Sequence, residues 1–182
     1  RFAGTTLSIP VGLICGARKS ARSASRLPAF SGDVGNKRVF DSWRGVDHVS
    51  AGSELNIGGV GIGPGERRLV EVRVAPMYTH DDLSITVEVV RGRRPGPTLF
   101  ISAAIHGDEI NGVEIIRRLL QHKSLRNLRG TVLAIPIVNV YGFLNHTRYL
   151  PDGRDLNRSF PGSSIGSLTG RVAHTFTQEI VS

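Results

Sequence analysis

The stretch Thr98–Glu109, TLFISAAIHGDE, constrains the fold more than any other part of this chain. A nearly continuous apolar run, Thr98–Ile105, stops abruptly at a histidine, a glycine and two carboxylates. Such a run fits a strand covered on both faces, as strands of a parallel sheet are. The change in polarity then puts His106 and Glu109 at the edge of the sheet. There an imidazole and a carboxylate three residues apart can converge on one ion, with Gly107 permitting the turn between them.

The residues that follow supply the rest of a βαβ unit. Asn111–His122 carries a helical period: Val113, Ile116 and Leu120 share a face that Ile115 and Leu119 widen. Asp108 and Glu109 fall where negative charge favours a first helical turn. After Gly130, Thr131–Val138 reads as a second apolar strand, with Pro136 a defect tolerable near its end. Strand, helix, strand at this spacing predicts two parallel strands joined by a crossover. Their carboxyl ends share one edge, the place where open α/β sheets bind ligands. The polar segments that begin at His106 and at Asn139 should therefore meet. Asn139 itself is expected to orient backbone at that edge.

Upstream, Leu69–Val74 and Ser84–Val90 alternate as strands do. The intervening PMYTHDD places His80 beside two aspartates and reads as a solvated loop tip. Residues 56–65, NIGGVGIGPG, lack the G-x-x-x-x-G-K-[ST] pattern of a phosphate loop and read as a turn or linker. Residues 1–45 carry eight basic and two acidic side chains, most of the net charge of +8. That excess reads as a disordered or loosely attached leader and not as a nucleic-acid-binding face. The single cysteine, Cys15, excludes an internal disulfide and suits a reducing compartment, taken as cytoplasmic. No run of 18 or more apolar residues suggests a transmembrane helix.

Residues 139–168 form a long segment of little period, of the kind that is usually functional in a compact domain. Within it, Thr147–Gly162, TRYLPDGRDLNRSFPG, gathers three arginines, two aspartates and an asparagine. Guanidinium groups recognise carboxylates with two parallel hydrogen bonds. From Ser167 onward Leu168, Val172, Phe176 and Ile180 restore a helical period.

HGDE at 106–109 and TRYLPDGRDLNRSFPG at 147–162, in this order and spacing, resemble the succinylglutamate desuccinylase/aspartoacylase family of the zinc carboxypeptidase superfamily. The likeness runs from about Ile57 to Ser182. It implies an α/β fold with a mainly parallel sheet flanked by helices, truncated and preceded by a small β segment. The chain then divides into a basic leader (1–55), a β-rich segment (56–97) and the N-terminal half of a catalytic domain (98–182).

The resemblance also implies chemistry: one Zn2+ ion and hydrolysis of the N-acyl bond, or an ester bond, of an acylated amino acid or similar small carboxylate. His106 and Glu109 would be zinc ligands. Arg148 would polarise the scissile carbonyl and help bind substrate, and Asn157 and Arg158 would clamp a substrate carboxylate. Asp155 would accept a hydrogen bond from the far ring nitrogen of His106. A third zinc ligand and a general-base glutamate would lie beyond Ser182, so these residues are expected to hold half a site and to catalyse little; His146 is the stand-in ligand within the chain. The expected partner is a small acylated amino acid, with no nucleic acid and no membrane. Rival readings are a metallocarboxypeptidase acting on peptides, a basic nucleic-acid-binding protein, and a non-catalytic domain that kept the fold.

Overall fold

The computed structural model describes residues 14–17, 54–76 and 82–181; the His80 segment and most of the leader lie outside them. In chain order the strands are β1 (Ile14–Ala17), β2 (Leu55–Ile57), β3 (Val60–Ile62), β4 (Arg67–Pro76), β5 (Asp82–Arg91), β6 (Arg94–Ser102) and β7 (Arg129–Ile135). Helix α1 (Asn111–Gln121) lies between β6 and β7, and α2 (Val140–Asn145) and α3 (Leu168–Phe176) follow. One sheet has the order β1-β6-β7-β5-β4, and β2 and β3 form a separate hairpin.

The βαβ expectation holds. β6 and β7 are parallel neighbours, with Leu99 opposite Val132 and Ile101 opposite Ala134, and α1 connects them. The other pairings are antiparallel, so the sheet is mixed. Parallel pairing needs a long crossover, and in the described sheet only the β6–β7 connection carries a helix.

Several local expectations are corrected. The glycine-rich stretch is a hairpin whose turn residues, Gly58 and Gly59, have φ of +54° and +81°. Two left-handed residues in a row give the turn that matches strand twist, and glycine adopts them without strain. Ile14–Ala17, inside the presumed leader, pairs with the edge of β6. β7 ends at Ile135, so Pro136 lies just past the strand and not within it. The long segment is not structureless: it holds α2 and a 3-10 turn, Leu156–Arg158. α3 stops at Phe176, and a wider turn, Thr177–Val181, replaces the expected continuation.

The beginning of α1 also differs from expectation. Its first residue is Asn111, and Ile110 precedes it without a side-chain cap. Glu109 turns back to His106 and leaves the helix end uncovered. The acid of the first turn is Glu114, hydrogen-bonded by Arg117 and then Arg118, which hold its carboxyl down at about 2.

Alternation along the strands builds one core on each face of the sheet. On one side Ile85, Val87, Val89, Phe100, Leu133 and Ile135 pack with Val172, Phe176 and Ile180 of the α3 region. On the other, Ile101, Val132 and Ala134 pack under Ile116 and Leu120 of α1. Each fully buried aliphatic contributes roughly 1.5–3 kcal/mol. No helix among the described residues is long and apolar enough to cross a membrane.

Candidate metal and substrate site

Both polar segments emerge from the same edge, as parallel strands require. Past the end of β6 the chain keeps the strands' pairing for two more residues. Ala103 N–H donates to Ile135 O (3.0 Å), Val138 N–H to Ala103 O (3.1 Å) and Asn139 N–H to Ala104 O (2.9 Å). Ala104 sits at φ +47°, a left-handed conformation uncommon outside glycine. The chain turns there and delivers His106, 4% exposed, under the loop that carries Arg148.

Gly107 is needed for space more than for dihedral freedom. A Cβ placed on it would lie 1.8 Å from the carbonyl carbon of Gly142 in α2. The close approach lets Gly107 N–H donate to Thr147 O (3.0 Å), while Thr147 N–H donates to Gly142 O (2.9 Å). The His106 segment and the Arg148 segment are thus joined through backbone.

Four side chains close a ring. His106 Nδ1 lies 2.8 Å from Glu109 Oε1, and its Nε2 lies 3.0 Å from Asp155 Oδ1. Arg148 donates from Nε (3.3 Å) and from its terminal nitrogen (3.0 Å) to Asp155 Oδ2. Its other terminal nitrogen stands 3.7 Å from Glu109 Oε1. Asp155 therefore serves two partners, one per oxygen, and Oδ1 also accepts the Asn157 N–H (2.9 Å). Burial pushes the Asp155 carboxyl up, but the hydrogen bonds from His106, Asn157 and Arg148 outweigh it and hold the group below its ordinary value. For Arg148, burial acts against the charge, yet Asp155 and Glu109 keep the guanidinium's affinity for its proton above the usual value.

The donor chemistry fits a metal. With Nε2 committed to a carboxylate, Nδ1 faces a second carboxylate, and that position must hold either a proton or a cation. An imidazole anchored in this way is the usual arrangement behind a metal ligand. His106 and Glu109 supply one nitrogen and one oxygen. Among the described residues no group of three or more His, Cys, Asp or Glu side chains could hold an ion. His146 is exposed at the left-handed end of α2, and His122 caps a 3-10 turn by accepting from Ser124 N–H. Asn157 and Arg158 lie exposed on the 3-10 turn at the rim, where Arg158 donates to the Asn157 carbonyl (3.5 Å).

Residues 95–182 match the model of the Succinylglutamate desuccinylase/Aspartoacylase catalytic domain. Those residues, just under half of the chain, are what is similar to this family. It is 37% identical over 98 residues to the N-alpha-acetyl-L-2,4-diaminobutyric acid deacetylase of Halomonas elongata, a match covering 53% of this chain and 28% of that protein. An aspartoacylase family protein from Mesorhizobium loti superposes with a TM-score of 0.56 at 31% identity, over 64% of this chain and 37% of the other. The succinylglutamate desuccinylase/aspartoacylase of Rhodobacter sphaeroides superposes with a TM-score of 0.57 at 30% identity, over 63% and 36%. The chain thus spans about a third of the length of these relatives. The α/β class expected from the sequence is the class of these neighbours.

The sequence did not reveal that Asp155 holds Arg148 as well as His106. Nor did it reveal that Gly142 and the Thr147 backbone join the two segments. A glycine three residues after Asn139, in VNVYG, is the only hint of the latter.

Proposed function

We propose that this chain forms part of a zinc-dependent hydrolase that removes an acyl group from an N-acylated amino acid or a similar small carboxylate. The observation that carries the proposal is the ring itself: a buried imidazole and a carboxylate oxygen 2.8 Å apart, with Arg148 3.7 Å from that same oxygen. A pair of metal donors beside a fixed cation suits metal-assisted hydrolysis of an acyl bond. The deacylase names among the relatives support the same class.

In this reading His106 Nδ1 and Glu109 would hold the zinc. Zinc, when bound, would supply Lewis acidity and a nucleophile drawn from water near neutral pH. Asp155 fixes the His106 ring by occupying Nε2, which leaves Nδ1 for the ion. Arg148, preorganised on Asp155, stabilises the oxyanion that develops as the acyl carbonyl is attacked, an effect of about 3 kcal/mol per fixed donor. Asn157 and Arg158, exposed at the rim, receive the substrate carboxylate. Arg158 is suited to this because its fork matches a carboxylate. An ester of the same acid would meet the same groups.

The test is metal binding followed by turnover. Zinc affinity, measured by competition with a chromophoric chelator, should fall at least about 100-fold in His106→Ala and in Glu109→Ala, beyond the 10–100-fold typical of an outer partner. His122→Ala and His146→Ala should bind as the parent does. Equal affinity in all four variants would remove the basis for the reading. In the protein that carries a complete site, release of free amine from N-acetylated amino acids should be lost with Arg148→Ala.

A further inference from the structure

The ring explains how Arg148 holds its guanidinium but not what sets its backbone against His106. Asn139 is 1% exposed, and all four of its hydrogen-bonding groups have partners, on the segment before His106, on α2 and at Arg148. Its N–H donates to Ala104 O (2.9 Å), two residues before His106, and its C=O accepts from Phe143 N–H (2.9 Å) inside α2. Its side-chain Oδ1 accepts the Gly142 N–H (2.8 Å), capping that helix. Its Nδ2 donates to Arg148 O (3.3 Å).

We infer that Asn139 is a positioning residue that fixes Arg148 relative to His106. It acts through the Arg148 backbone and does not touch substrate. The inference rests on the hydrolase reading for the part it gives Arg148, but the geometry it concerns exists without metal or substrate. A serine or aspartate at this position would cap α2, as many N-caps do. Aspartate offers acceptors alone and serine a single short hydroxyl, whereas the carboxamide holds Gly142 N–H on one atom and donates to Arg148 O from another. A shift of the Arg148 backbone would carry the guanidinium away from both Asp155 and Glu109.

The test uses side-chain NMR of the 182-residue chain without zinc. In the parent, Arg148 Nε–H should be protected from solvent exchange by Asp155. In Asn139→Ser, Gly142 N–H should stay protected while Arg148 Nε–H exchanges on the order of fivefold faster, the factor equivalent to one hydrogen bond of about 1 kcal/mol. Should that variant not fold, Asn139→Asp keeps an oxygen over Gly142 and is read by the same two signals. An unchanged Arg148 signal in the folded variant overturns the inference. So does a rise that only keeps step with the backbone amides of β7, since that reports general loss of stability. Zinc affinity of His106→Ala tests the hydrolase reading separately, so either can fail alone.

Discussion

At the scale of single residues, the site depends on groups that serve two partners. Asp155 divides its oxygens between His106 and Arg148, so under the proposed function its loss should weaken both zinc binding at His106 and oxyanion stabilisation by Arg148. Asp155→Asn keeps the shape but supplies one acceptor where the carboxylate supplied two. Zinc affinity should fall about 10–100-fold, and titration calorimetry of the variant checks it. Gly107 is the complementary case, a residue whose value is its absence of side chain. Gly107→Ala forces a methyl against the Gly142 backbone, an overpacking that should cost roughly 1–3 kcal/mol or more. Urea denaturation measures it, and a cost near zero would mean that α2 moves aside freely. The clamp role of Asn157 and Arg158 stays a proposal, while the ring members His106, Glu109, Arg148 and Asp155 were nameable from the resemblance that HGDE and TRYLPDGRDLNRSFPG carry. The second role of Asp155 was not, because it depends on which way an arginine seven residues away turns.

At the scale of elements, capping does more than helix length. α3 begins at Leu168, where Ser167 accepts the Gly170 N–H (3.1 Å). A second acceptor comes from far along the chain: Asp152 takes the Thr169 N–H (2.9 Å) and its hydroxyl. This ties the Arg148 loop to the helix that covers the larger core. Burial pushes the Asp152 carboxyl up, but the Thr169 and Arg154 hydrogen bonds prevail and lower it. A lowered folded value means that the unfolded chain binds the proton first on acidification. The contribution is therefore complete above the unfolded carboxylate range near 3.9 and is lost as pH falls through the folded value. Urea midpoints followed from pH 6 to 2 should show this slope, and Asp152→Asn should reduce it, Asp155 and Glu114 supplying the remainder. On the opposite face α1 is held by Ile116 and Leu120. Ile116→Ala should cost about 2–5 kcal/mol, whereas Glu114→Ala, on the exposed side, should leave the urea midpoint nearly unchanged.

At the scale of the whole molecule, the parallel pair β6–β7 is the frame on which the site is placed. If zinc binds only the folded chain, it should raise stability by about 2.7 kcal/mol at a free concentration of 100 times its dissociation constant. Thermal unfolding with and without zinc checks this, and the increment should vanish in His106→Ala.

The sequence by itself determined the β6-α1-β7 unit, the two flanking strands β4 and β5, and the edge to which His106 and Asn139 are delivered. Hydrophobic period and length are local properties, and Thr98–Ile105, Asn111–His122 and Thr131–Val138 carry them without reference to the rest of the chain. The tertiary structure alone decided the mixed pairing of the sheet and the docking of Ile14–Ala17 on β6, because strand partnership is settled between segments and not within them. It alone also decided the closed ring. His106 and Asp155 are 49 residues apart in the chain, and their 3.0 Å contact exists only because Gly107 and Gly142 let two backbones touch.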